Sequence, residues 1–125
     1  IRPELYHKRG ILAAARMGDD VNPQKNSSGT QFYIVQGKLF NDVSLDSVET
    51  HRLKGRKLPE PHRKIYKTAG GAPHLDQNYT IFGELIIGYD VLDKIANTKT
   101  SGRKGGDKPL TDIRIREMKM VRRIE

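Results

Sequence analysis

Residues 27–34 read SSGTQFYI. Three small turn formers, Ser27, Ser28 and Gly29, run straight into aromatic and β-branched residues, the composition of a loop feeding a strand. The run continues to Gln36 and is apolar on both faces, which predicts a central strand over residues 31–36. Gln31 and Tyr33 lie two apart and so project from one face of that strand. Glutamine is a poor choice for a strand buried on both sides unless its amide is used. Either it satisfies nearby backbone groups, or it stands beside an aromatic ring in a peptide-binding groove.

Upstream, residues 11–15 (ILAAA) follow Gly10 and have the length of a short buried strand. Residues 16–29 are rich in Gly, Asp, Asn, Pro and Ser and form a polar loop. Downstream, residues 79–87 (YTIFGELII) predict a third strand. Tyr79, Ile81, Leu85 and Ile87 share one face, Phe82 and Ile86 the other, and Gly83 marks a bend or a close approach. Gly88 ends the strand. Residues 89–96 then predict a helix with Val91, Leu92 and Ile95 on one face and Asp90 near its N-terminus. Residues 98–109 form a mobile basic loop. A fourth strand is predicted over 112–124, with a β-bulge at Arg116 and Glu117.

The segment 40–73 differs in character. Leu45 and Val48 mark a short amphipathic helix behind Asp42 or Ser44 as cap. Pro59 and Pro61 break the chain. Pro61 then opens a second helix through Ile65 and Tyr66, which Gly70 and Gly71 stop. The stretch is polar, basic and peripheral in pattern, as expected of an insertion into a β domain. Four strands with two-faced apolar patterns cannot cover themselves. Their open edges imply either further strands upstream of Ile1 or self-association of two copies.

Composition narrows the function. The chain has 125 residues, enough for one domain, with 35% hydrophobic and 30% charged residues. No run is long enough to span a membrane. Cysteine is absent, which excludes disulfides, thiolate metal sites and a cysteine nucleophile. The first residue is Ile1, so the chain is either processed or part of a longer one. Its compartment stays open between cytoplasm and bacterial periplasm. The net charge of +8 raises the question of nucleic acid. The positive residues gather at 52–67 and 99–123, without aromatic rings interleaved in the second cluster as a single-strand binder would want. They read as solvated surface rather than a nucleic-acid site. His7, His51, His62 and His74 match no zinc spacing, so no metal is expected. GRKGG at 102–106 lacks P-loop spacing, and no cofactor is implied.

Several motifs in order resemble the cyclophilins, the peptidyl-prolyl cis-trans isomerases. They are GILAAAR at 10–16, SSGTQFYI at 27–34 and HLDQNYTIFGELIIGYDVLDKI at 74–95. The match covers most of residues 7–39 and 74–124. It implies an antiparallel β-barrel with capping helices and a proline-binding groove on its outer face, acting on proline-containing peptides or unfolded proteins. Ala15 matches the alanine that floors the proline pocket. Gln31 matches the groove glutamine, and Leu75 a pocket leucine. Arg16 stands where an asparagine pairs its backbone with peptide, and Tyr33 replaces a pocket phenylalanine. Tyr79 stands where many eukaryotic members carry histidine. His74 stands where cyclosporin-sensitive members carry tryptophan, so that sensitivity does not carry over.

The family's Phe-His-Arg motif, which holds its catalytic arginine, belongs upstream of Ile1. The chain is therefore expected to be the C-terminal portion of one such domain, 1–125, with strands missing from its barrel and a helical insertion at 40–73. The function expected is isomerisation of X-Pro bonds in protein folding. The alternative is a non-catalytic module that binds proline peptides without that arginine.

Overall fold

Ile11 and Ala13 are buried along β1 (Ile11–Ala14), while Leu12 and Ala14 are half-buried between them. That alternation is the strand period of two, with both faces largely covered. The computed structural model describes residues 2–122. In it β1 is the middle strand of a three-stranded antiparallel sheet, flanked by β2 (Phe32–Ile34) and β3 (Ile81–Glu84). The strand expected to be central, β2, is thus an edge. Its two-faced apolar pattern misled: Phe32 and Ile34 are exposed, and the buried residue is Val35, just past the strand. Ala13 pairs with Tyr33 across the sheet, which fixes the tyrosine opposite the most buried residue of β1.

On the other side Leu12 pairs with Gly83 and Ala13 with Ile81, so Phe82 is an extra residue on β3. A Cβ on Gly83 would come 3.0 Å from Leu12 Cδ2, which explains the glycine as a close approach. The bulge also breaks the face expected for residues 79–87. Ile81 and Leu85 are half-buried, while Ile87 is exposed. The helix expected at 89–96 is α3 (Tyr89–Ala96).

The fourth strand is absent from the described residues. Residues 112–122 adopt no strand, and Met118 and Met120 are 73% and 101% exposed. An extended segment without a pairing partner has nothing to hold it in a ladder. Ile124 lies outside the described residues. The sheet is not closed, and three strands do not make a barrel. The basic loop at 98–109 is pinned at its base, where Thr100 bridges Pro109 and Ser101 N–H donates to Lys108 O over 2.8 Å.

Residues 40–73 contain α1 (Asp42–His51) and α2 (Glu60–Thr68). The cap of α1 is Asn41, one residue ahead of Asp42 and three ahead of Ser44, the two caps expected. Its side chain accepts from Ser44 N–H at 2.8 Å, and Ser44 Oγ accepts from Asn41 N–H at 2.9 Å. This reciprocal box satisfies two backbone donors that the helix start would otherwise strand. Pro61 falls in the first turn of α2, where its missing N–H does no harm.

This segment is not peripheral. Leu45, Leu53, Leu58 and Tyr66 form a buried cluster, with Tyr6, Phe40 and Val48 packed against it. The other cluster, Ile11, Ala13 and Val35, belongs to the sheet. The basic composition concealed this because some of its charges are internal. Glu49, buried, accepts from Leu58 N–H at 2.6 Å and pairs with Arg63 Nη1 at 3.2 Å. Past α2, Gly71 bridges both Lys8 and Lys38, tying the end of the insertion to the segments beside β1 and β2. At Gly71 the backbone of His7 leaves no room for a Cβ.

Candidate proline-binding site

Three segments converge on one pocket. The first is Ala15 and Arg16, just past β1. Ala15 N–H donates to Gln31 O at 3.1 Å, and Ser28 N–H donates to Ala15 O at 2.8 Å, so the polar loop folds back against the strand end. The second is Tyr33 on β2. The third runs from a single 3-10 turn, Pro73–Leu75, through to Tyr79 ahead of β3. Ala15, Arg16, Tyr33, Leu75 and Tyr79 line an open pocket of about 260 Å³.

Its walls are aromatic. The Tyr33 and Tyr79 rings meet edge to face at 5.8 Å. The Arg16 guanidinium lies 4.5 Å from the Tyr79 ring centroid. Arg16 is held there by Nε donating to Asn78 O at 2.9 Å and by an ion pair with Asp19 at 2.8 Å. The guanidinium thus closes one side of the pocket as a flat, stacked plate.

Behind Tyr33 is a buried polar network that sequence reasoning missed. His7 is fully buried and its ring stacks on Tyr33 with centroids 6.0 Å apart. Its Nδ1 lies 3.1 Å from Asp76 Oδ1, and its Nε2 lies 2.9 Å from the Tyr33 hydroxyl. A carboxylate only accepts, so this network assigns the proton to Nδ1 and makes Nε2 the acceptor of the Tyr33 O–H. Asp76 also accepts from His7 N–H at 2.8 Å and from the Tyr66 hydroxyl at 2.7 Å. Burial pushes the Tyr33 phenol well above its ordinary value, so it stays protonated and keeps that bond. In the sequence His7 stands out only among histidines that lack zinc spacing, and Asp76 only within the motif at 74–95. The available signal was a histidine and an aspartate in an otherwise lean core.

Two expected residues stand apart from this pocket. Gln31 precedes β2 and is exposed, and among the described residues its amide has no hydrogen-bond partner. Among the described residues that amide satisfies no backbone group, while Ala15 N–H donating to Gln31 O carries the β1–β2 register one pair past Phe32. His74 is half-buried and lines a second cleft of about 360 Å³ that shares Arg16, Leu75 and Tyr79 with the pocket. Burial, and then the positive charge of Arg52, hold the His74 imidazole below its ordinary value. No helix among the described residues is long and apolar enough to cross a membrane.

Comparison with known proteins bears on the family. The family described as cyclophilin type peptidyl-prolyl cis-trans isomerase/CLD matches residues 1–120. A Staphylococcus saprophyticus protein named "Putative peptidyl-prolyl cis-trans isomerase" is 40% identical over 118 residues, which is 94% of this chain and 53% of that protein. A Staphylococcus haemolyticus protein of the same name is 36% identical over 110 residues, 88% of this chain and 48% of its own. A Streptococcus pyogenes protein named "Putative bifunctional phosphatase/peptidyl-prolyl cis-trans isomerase" is 35% identical over 112 residues, 88% of this chain and 21% of its own. The chain spans about half the length of the first two. With the match running from the first residue through all three strands and all three helices, the chain belongs to the cyclophilin-type peptidyl-prolyl cis-trans isomerase family.

Proposed function

We propose that this chain supplies the proline-binding half of a peptidyl-prolyl cis-trans isomerase acting on proline-containing peptides and unfolded proteins. The observation that carries the reading is the single pocket lined by Ala15, Arg16, Tyr33, Leu75 and Tyr79. An X-Pro bond rotates over a barrier of ~18–20 kcal/mol because resonance keeps the amide planar. No nucleophile is required. A site that holds the twisted amide better than either planar form speeds rotation in both directions.

In this reading Ala15 floors the slot, and Leu75, Tyr33 and Tyr79 wall the pyrrolidine ring. The bond to His7 fixes the Tyr33 ring, so the slot is shaped before substrate arrives. Gln31, with a free amide, holds the peptide backbone outside the slot. The donor to the proline nitrogen is, by family resemblance, an arginine upstream of Ile1. Residues 1–125 then form the C-terminal portion of one domain, with 40–73 inserted in it. The open edges of β2 and β3 are where the remaining strands of a closed barrel pair.

The test is exchange NMR on an Ala-Pro peptide with the protein expressed from its complete reading frame. Acceleration that falls roughly tenfold in Tyr79→Ala, a loss of about 1.4 kcal/mol in the transition state, is the expected result. Cis and trans signals that exchange no faster with the protein than without it overturn the reading.

A further inference from the structure

The cleft beside the proline pocket is strongly cationic, and most of that charge comes from the insertion. Arg16, Lys25, Arg52, Lys54 and Arg56 line it, against one carboxylate, Asp19. Arg52, Lys54 and Arg56 follow α1 directly, in the link to α2. Asp19 is already engaged by Arg16 at 2.8 Å, which holds its carboxyl below the ordinary value. Lys25 donates to Asn78 Oδ1 at 2.6 Å and Arg56 to Asp76 O at 2.7 Å, both neutral acceptors that leave the cations uncompensated. Arg52 and Lys54 are exposed and have no carboxylate partner among the described residues. The other cation of this link, Lys57, pairs with Glu49 instead and does not line the cleft.

This cleft is continuous with the proline pocket, because Arg16, Leu75 and Tyr79 wall both. A peptide seated by its proline therefore runs over, or next to, a row of unsatisfied cations. We infer that the insertion selects proline peptides carrying aspartate or glutamate within a few residues of the proline. This rests on the isomerase reading above and adds to it a substrate class. Like charges in the cleft repel a basic flank, so the same residues discriminate in both directions. The effect is electrostatic and partly solvent-exposed, so it weakens as salt rises.

The experiment uses the protein expressed from its complete reading frame and three peptides of equal length around one Ala-Pro bond. Their flanks are acidic, neutral or basic. Affinity is read by NMR titration at roughly 50 mM and roughly 500 mM salt. The expected order is acidic, neutral, basic, with the acidic peptide roughly three- to tenfold tighter than the neutral one at low salt. In Arg52→Gln/Lys54→Gln the ratio between acidic and neutral peptides falls towards one. Equal affinity for all three peptides overturns the inference and leaves the isomerase reading standing. An acidic peptide that binds as well with alanine in place of proline overturns it too, since the cleft then acts apart from the pocket. So does displacement of the acidic peptide by a matched oligonucleotide at far lower concentration, which would assign the cleft to nucleic acid. Failure of every peptide to bind overturns the isomerase reading and this inference with it.

Discussion

The Tyr33 hydroxyl sits 2.9 Å from Nε2 of the fully buried His7, whose ring stacks on the tyrosine at an interplanar angle of 16°. A pocket wall is thereby attached to a core histidine, and through it to Asp76 and Tyr66. Tyr33→Phe keeps the ring and removes the bond, leaving a buried imidazole nitrogen unsatisfied. We predict a loss of about 1–3 kcal/mol, measured by urea denaturation. An unchanged midpoint would mean that water replaces the hydroxyl and that the wall is not anchored through His7.

Removal of apolar volume from residues 42–68 is expected to destabilise the whole chain. Leu45 is fully buried among Leu53, Leu58 and Tyr66. Leu45→Ala should cost about 2–5 kcal/mol, the range for emptying a packed leucine site. Val43 on the same helix is exposed, and Val43→Ala should stay within about 0.5 kcal/mol. Similar small losses for both would show that the two helices are an appendage after all.

The capping box gives a smaller, local prediction. Asn41→Ala removes the acceptor for Ser44 N–H. Loss of such a cap is worth about 1 kcal/mol. The shift in the denaturation midpoint should appear in full, because α1 carries Leu45 into the core.

Stability should fall between neutral and mildly acidic pH. Burial holds the folded-state values of His62 and His74 below the ordinary 6.5, with Arg52 adding to the shift at His74. The unfolded chain then binds more protons than the folded one. The contribution is fully present above about 6.5 and is lost as pH falls from there through the lowered folded value. Urea midpoints at about pH 7.5 and about pH 5.5 should differ, and His74→Gln should narrow the gap. An equal gap in the variant would assign the dependence to His62 alone or to other groups.

The parts of the molecule that follow a short-range pattern were legible in the sequence. β1, α2 and α3 follow from apolar spacing and from Pro and Gly punctuation within a residue or two of the observed bounds, and α1 lies where Leu45 and Val48 place a helix. The pocket residues came from family resemblance, and five of them line one cavity. What stayed hidden depends on partners distant in sequence. Residues 112–122 have the alternation of a strand but nothing to pair with. β2 reads as central, yet its exposed Phe32 and Ile34 await cover that the described residues do not supply. Residues 40–73 read as surface because composition counts Glu49 and Arg63 as charges and cannot register that the two are buried and paired.

The Asp76 cluster also sets an order of assembly. Tyr66 and Asp76 are 10 residues apart in sequence, whereas His7 and Asp76 are 69 apart. The shorter loop closes at the smaller entropic penalty, which predicts that α1 and α2 with Asp76 form first and that His7 joins afterwards. Tyr33 gains its hydroxyl partner only at that last closure. Transition-state φ-values should then be high for Tyr66→Phe and near zero for Tyr33→Phe. The wall proposed to hold proline would then be completed only in the last step of this chain's own folding.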